Sequence, residues 1–329
     1  MMKRNYCTLF DINYLSRGIA MYNSLKQWSN DFHLYIFAFD DKSLQILREE
    51  CLEHTTVISL NEFEDEKLLA VKPSRNRAEY CWTCTSSTII YCINKFHLDS
   101  CTYLDADLFF YSSPEPIFKE LGTKSILLTE HKYSAQYARD NKNGKYCVQF
   151  ISFKNDSAGM EALEWWRERC LEWCYDRHES GKFGDQGYLN DWSERFEGVH
   201  SLQHLGGGVA AWNVQQYEIF SENGDIKGKE FNTGNVFPII FYHYHYLKFI
   251  NNGTIELGRR KLSPNVFSCL YIPYIKELLK LQAYISDKYQ GINSSGSAPY
   301  RLKWKTPILY ILRKLRGVYH IYKVKELLE

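Results

Sequence analysis

No uninterrupted apolar stretch in the 329 residues approaches the ~20 needed to cross a bilayer. Residues 1–8 also lack the apolar segment of a signal peptide, so the expected location is the cytoplasm. Net charge is nearly absent, at +1 from 40 Lys and Arg against 39 Asp and Glu. Affinity for nucleic acid rests on a surplus of basic side chains, so a general polyanion binder is excluded and no nucleic-acid partner is expected. The ten cysteines, at 7, 51, 81, 84, 92, 101, 147, 170, 174 and 269, lack the dense framework of a small secreted domain. Several lie in apolar runs, and they read as reduced, mostly buried thiols. No internal repeat is present.

Apolar and aromatic material is plentiful: 45% apolar and 16% aromatic, with 25 Tyr and 19 Phe, enough for a packed core and for pockets that stack flat ligands. Residues 5–11 read as a buried strand, 16–28 as an amphipathic helix through Ile19, Met21, Tyr22 and Leu25, and 33–39 as a second buried strand. Helical period returns over 43–52, a strand over 56–60 and a long helix over 77–95. That alternation predicts an α/β fold, a mostly parallel sheet flanked by helices. The apolar run 101–104 ends in Asp105, Ala106 and Asp107, and open α/β sheets bind ligands where their strands stop. Further strands are expected at 125–129, 146–153 and 238–242, with a helix over 159–177. Residues 290–299 (QGINSSGSAP) read as a small-residue linker. The main domain is placed at 1–262, with a helical C-terminal extension at 263–329.

Two carboxylates at i and i+2, separated by the small Ala106, both reach one hard cation if the chain turns there. Such a cation bridges phosphates and neutralises charge on a departing diphosphate. An isolated Asp-x-Asp pair is most often a solvated turn; the apolar strand before this one and Phe109, Phe110 and Tyr111 after it favour the metal reading. The run LDADLFF, followed by SSPEPIF, resembles the Asp-x-Asp segment of A-type glycosyltransferases, above all the group related to glycogenin and the bacterial lipopolysaccharide glucosyl- and galactosyltransferases. The resemblance covers roughly residues 5–250. It implies a Rossmann-like nucleotide-binding fold, with Asp105 and Asp107 on Mn²⁺ or Mg²⁺ and Ala106 beside the donor.

Other segments match in the family's order. Thr8 lies on the opening strand, and Asp11-Ile12-Asn13-Tyr14 resembles the stretch that holds base and ribose; alone, these residues equally suit a capping Asp, a turn Asn and a core Tyr. Asp185-Gln186-Gly187-Tyr188-Leu189-Asn190 resembles the family's Asp-Gln-x-x-Leu-Asn. This implies a catalytic role for Asp185 and Gln186 beside the donor sugar and a transfer that retains the anomeric configuration. Asp185, after Gly184, also suits a helix N-cap. Phe241-Tyr242-His243-Tyr244-His245 resembles the segment that carries a metal-binding His. His243 is the first choice and His245 the second, since strand alternation sends both to one face, and imidazole beside two carboxylates suits Mn²⁺. Lys248 stands either as a clamp on the diphosphate or as a solvated lysine. Residues 206–213 (GGGVAAWN) resemble the family's Gly-rich turn, which brings Trp212 and Asn213 to the donor; the glycines serve close approach to a ligand and a sharp turn equally well.

Departures from the family pattern are specific. Tyr146-Cys147-Val148-Gln149 lacks the Asn that many relatives place after the aromatic of the donor-pocket strand. Ser86-Ser87-Thr88-Ile89-Ile90 lacks a basic residue, for which Arg75 or Arg77 is the substitute. No Gly follows the His segment. Cys81 and Cys84 have redox spacing but lie in a helix, and read as buried thiols. Cys170 and Cys174, beside Trp165, Trp166 and Trp173, read as core rather than as a zinc site.

Residues 299–329 carry a local balance of +6, which leaves −5 for the rest. Ile308, Leu309, Ile311, Leu312, Leu315, Val318 and Tyr322 alternate there with Arg313, Lys314, Arg316, Lys323 and Lys325. A basic amphipathic helix of this kind either lies on an anionic membrane, through residues 300–329, or docks on the body of the protein. The resemblance thus implies a metal-dependent hexosyltransferase of polysaccharide biosynthesis, with a nucleotide-sugar donor, UDP-hexose first, and a glycan or lipid-linked acceptor. It would work in the cytoplasm or on the inner face of the membrane. A sugar nucleotidyltransferase shares the fold and the metal but opens with a Gly-rich basic loop, which LFDINYLSRG lacks. The alternative from another class is a carbohydrate- or membrane-binding protein that keeps the fold without turnover.

Overall fold

The computed structural model describes residues 3–29, 31–251, 253–299 and 306–328. Apolar runs without alternation form the centre of the main sheet, because both of its faces are covered. β1 (Arg4–Phe10), β2 (Phe32–Ala38) and β3 (Thr55–Ser59) pair in parallel, and β1 pairs in parallel with β4 (Ser100–Leu104) on its other side. After the short β5 (Leu108–Phe110), β6 (Ile126–Glu130), β7 (Tyr146–Lys154) and β8 (Val199–Ser201) complete seven strands in the order β3-β2-β1-β4-β7-β6-β8. Only β7 runs against its neighbours. The mostly parallel α/β sheet expected from the sequence is therefore present.

Alternate residues divide between two cores, one on each face. Tyr6, Leu34 and Ile36 enter one, Cys7, Leu9, Tyr35 and Phe37 the other. The helix Arg77–Phe96 starts at a capping box in which Asn76 and Glu79 satisfy each other's backbone N–H, and it stops at a left-handed His97. All ten cysteines are free thiols; Cys51, Cys81 and Cys269 alone are not buried.

The second half of the chain builds small sheets beside the strand ends: β9 (Gly207–Ala210), β10 (Tyr217–Glu222), β11 (Asp225–Glu230), β12 (Val236–Pro238), β13 (Phe241–His243), β14 (Lys248–Ile250) and β15 (Thr254–Glu256). The single strand expected over 238–242 is in fact two. β12 extends the β10–β11 hairpin, whereas β13 lies between β5 and β9. The switch occurs at Ile239 and Ile240, whose N–H groups donate to Ile226 O and Gly206 O in different sheets. The hairpin, which no expectation from the sequence covers, turns at Asn223-Gly224, both at positive φ (54° and 90°), the pair favoured by a two-residue turn.

Residues beyond 262 share the first core. The helix Ile272–Lys288 packs on the helix Leu15–Trp28, and Tyr274, Ile275 and Leu278 join Leu15 and Ile19 in one apolar cluster. The extension is not wholly helical either, since β16 (Ile321–Lys323) pairs with β15. Nor is 290–299 a free linker. Ser16 donates its N–H and its hydroxyl to Ser294 O, both at 3.0 Å. Arg17, 3% exposed, donates to the carbonyls of Ser295, Asn13 and Leu247 at 3.0–3.1 Å. The small residues permit this contact: Gly296 has φ 65°, and a Cβ there would stand 2.9 Å from that of Asn13.

The helix Thr306–Leu315 does not bury its apolar residues against the body. Ile308, Ile311 and Leu315 are 58%, 57% and 80% exposed, while Arg313 reaches back to Glu256 at 3.5 Å. Residues 300–305 and 329 of the basic tail lie outside the described residues. Among the described residues, no helix is long and apolar enough to cross a membrane.

Candidate active site

The central turn follows from where β4 stops. Asp105 still donates its N–H to Gln149 O on β7 (2.9 Å), and Leu108 N–H then bonds back to Asp105 O (3.2 Å), so the chain reverses with both aspartates at the sheet edge. β5, just after the turn, pairs antiparallel with β13, setting Leu108 opposite His243. This pairing delivers an imidazole from far along the chain. His243 Nε2 lies 3.1 Å from Asp107 Oδ1 and 3.6 Å from Asp105 Oδ2, and its Nδ1 lies 2.8 Å from Gln149 Oε1. Trp212 presents its ring edge-on to His243 and His245.

Strand alternation is not what aligns the two histidines, because β13 ends at His243 and the backbone turns at Tyr246 (φ 74°). Their rings nevertheless lie 5.5 Å apart, and Asp107, His243 and His245 each offer a donor atom within 4.8 Å of the others. Burial, opposed by His243 and reinforced by Asp107, pushes the Asp105 carboxyl up to about 6. Asp107 is the more buried of the two, but the attraction of His243 outweighs that cost and holds it at about 2. Burial lowers His243, yet the two carboxylates raise it well above the usual histidine range. A proton on His243 is thus the positive charge that the two acids demand, and a divalent cation meets the same demand. Two carboxylates and an imidazole fit Mn²⁺ or Mg²⁺, Mn²⁺ better for the nitrogen.

A cavity of about 650 Å³ opens over this turn. Asp11, Asn13, Tyr14 and Arg77 line one end; Asp105, Ala106, Asp107, His243 and His245 the middle; Asp185, Gln186 and Trp212 another wall. Three expected residues do not line it. Thr8 is wholly buried inside β1, and Lys248 is exposed on β14. Asn213 spends its side chain on Ala210 N–H and on the carbonyls of His131 and Gly208, so it shapes the loop.

Arg260 lines the cavity, and of the two expected substitutes it is Arg77, not Arg75, that does so as well. Arg77 pairs with Asp11 and with Asp40 (3.1 Å), while Arg75 turns away to Leu171 O and Tyr175. Asp11 accepts from Asn13 N–H and Asp40 from Ile12 N–H, both at 2.8 Å, which fixes the turn before Tyr14. Asp40 had no reading from sequence, where it looks like an ordinary N-cap. Asp185 precedes a short turn, Gln186–Leu189, but its side chain caps nothing. Burial first and the charge of Asp105 second push its carboxyl up to about 7. Gln186 donates to Asn143 O at 2.6 Å. The three glycines serve internal packing: a Cβ on Gly206 would stand 1.9 Å from Pro238 O, and none of the three lines the cavity.

His131, Tyr246 and Gln149 were not anticipated. His131 lines the cavity, stacked on Tyr133 at 4.8 Å, and burial lowers it to about 3, so it is a neutral imidazole. Tyr246 stands 47% exposed in a backbone conformation that bulky residues rarely adopt, with Gly258 leaving it room. Neither has a local pattern that would mark it.

No family model matches the chain. Two curated relatives do, both from Bacillus subtilis (strain 168): the uncharacterized protein YfnD is 30% identical over 305 residues, 90% of this chain and 96% of its own length. The uncharacterized protein YfnF is 33% identical over 78% of this chain and 85% of its length. Among solved structures, the galactosyltransferase LgtC, crystallised with donor and acceptor sugar analogues, matches 84% of this chain and 95% of that one, with a TM-score of 0.50 and 11% identity. Against the glycosyltransferase GlyE of Streptococcus pneumoniae TIGR4, this chain spans about half of that protein's length (49%; TM-score 0.41). The chain therefore belongs to the family of YfnD and YfnF, and its fold is the glycosyltransferase fold seen in LgtC.

Proposed function

We propose that this protein is a metal-dependent glycosyltransferase that moves a hexose from a nucleotide-diphosphate sugar, a UDP-sugar first, to a glycan or lipid-linked acceptor with retention of configuration. The observation that carries this reading is the meeting of Asp105, Asp107 and His243 at the strand ends, inside a cavity that also holds Asp185. Asp105, Asp107 and His243, with His245 adjacent, would hold Mn²⁺ or Mg²⁺. Such a cation supplies Lewis-acid stabilisation of the departing diphosphate. The Asp11–Tyr14 turn, braced by Arg77 and Asp40, receives the nucleoside. Asp185 and Gln186 position the donor sugar.

Purified protein incubated with UDP-glucose or UDP-galactose and Mn²⁺ tests this reading. Release of UDP, with slow donor hydrolysis or transfer, supports it. Conversion with pyrophosphate to UTP and a sugar phosphate supports a sugar nucleotidyltransferase instead. Tight donor binding without turnover supports a non-catalytic carbohydrate-binding role.

A second proposal rests on the Thr306–Leu315 helix, with Ile308, Leu309, Ile311, Leu312 and Leu315 exposed beside Lys314 and Arg316. An unburied apolar stripe with basic residues suits the surface of an anionic bilayer, and it would hold the enzyme on the inner face of a membrane near a lipid-linked acceptor.

A further inference from the structure

Gln149 is fully buried, and a buried amide is costly unless its polar atoms are used. Its side chain makes one hydrogen bond, Oε1 to His243 Nδ1 at 2.8 Å, and its Nε2 has no partner. An apolar side chain of similar size would fill this site in β7 at lower cost. The surroundings are nevertheless fitted to the amide. Gly208, at φ 123°, lacks a Cβ that would stand 3.2 Å from Nε2. The backbone carbonyl of Gln149 also accepts the N–H of Asp105. One residue therefore holds both segments that carry the candidate ligands, the acidic turn through its main chain and the imidazole through its side chain.

An imidazole can give only one nitrogen to a cation, and the partner of the other nitrogen fixes which. We propose that Gln149 is the positioning residue of the cation site: its side-chain oxygen accepts the Nδ1–H of His243 and so leaves Nε2 bare toward Asp105 and Asp107. This rests on the metal-dependent reading above and adds to it a residue that acts through His243 without itself reaching the cation. It also gives Gly208 a purpose, the accommodation of the Gln149 amide.

The test compares wild type with Gln149→Leu, Gln149→Met and Gln149→Glu, titrating Mn²⁺ and following the free ion by electron paramagnetic resonance, with circular dichroism as the check on folding. Leu and Met remove the acceptor; Glu restores an oxygen in the same place. The expected result is Mn²⁺ affinity about 10–100-fold weaker for Leu and Met, the usual cost of losing such a partner, with Glu close to wild type. Folded Leu and Met variants that bind as tightly as wild type would overturn the inference alone. So would a Glu variant as weak as Leu, since packing would then explain the loss. A wild-type protein that binds no Mn²⁺ would instead overturn the metal-dependent reading on which it rests.

Discussion

Replacing Asp185 by Asn should make the metal-free protein more stable at pH 8 while ending any transfer. Asp185 is 6% exposed, and its carboxyl is raised from 3.8 to about 7 by burial and then by Asp105. Because the folded state binds this proton more tightly than the unfolded chain, ionisation of Asp185 penalises the fold. The penalty is full above pH 7, shrinks as pH falls from 7 to 4, and vanishes below the unfolded value. At about 1.4 kcal/mol per unit, a shift of roughly three units corresponds to about 4 kcal/mol. Asn keeps the shape and removes the charge, at a cost of about 1 kcal/mol for altered hydrogen bonds, so the variant should gain about 3 kcal/mol at pH 8. Urea unfolding in EDTA at pH 8 and pH 4.5 measures this directly. The gain should be present at the higher pH and absent at the lower. A variant less stable than wild type at both would refute the picture of Asp185 as a strained, desolvated acid kept for chemistry at the expense of stability.

Asp107→Ala should abolish Mn²⁺ binding and reduce donor turnover by on the order of a hundredfold or more, given the several kcal/mol a Lewis acid supplies, with an unchanged circular dichroism spectrum. Wild-type turnover in that variant would remove Asp107 from the site. Arg77→Ala should raise the KM for the donor by on the order of tenfold, about 1.4 kcal/mol, by loosening the Asp11–Tyr14 turn. Because Arg77 is more than half exposed, its melting temperature should barely move, and a large loss of stability would assign it to folding instead. Ile308→Glu with Ile311→Glu should release the protein from phosphatidylserine vesicles and leave donor hydrolysis intact; vesicle binding at wild-type strength would reject the membrane surface. Deleting residues 300–329 is a poorer test, because it also strips β16 from β15.

The parts of this protein legible in its sequence are those encoded locally. The runs in β1, β2 and β4 are apolar on both faces, so they announce a covered parallel sheet. Asp105 and Asp107, standing where one of those runs stops, mark the place where the cavity opens. Parts that depend on pairing across long sequence distances stayed hidden. Nothing near Gln149 reveals that its partner is His243, 94 residues on. Asn213 looks like a ligand contact in its motif and proves to be bonded to three backbone groups. The run 238–242 has strand composition throughout, yet Ile239 and Ile240 cross between sheets, a choice set by their distant partners Ile226 and Gly206. The glycines at 206–208 carry no label separating close approach to a ligand from close approach to Pro238, and only the fold distinguishes them.

The strap at residues 293–297 ties the two ends of the chain into one mechanical unit. Ser294 and Ser295 anchor on Ser16 and Arg17, and position 296 takes glycine because Asn13 lies too close for a Cβ. An insertion, or a bulkier residue, in that late segment would therefore be felt first at the Asp11–Tyr14 end of the cavity, nearly three hundred residues earlier. Sequence drift at one end of this protein is restrained by the other, and chimeras that exchange the last third of the chain between relatives should be built with residues 11–17 carried along.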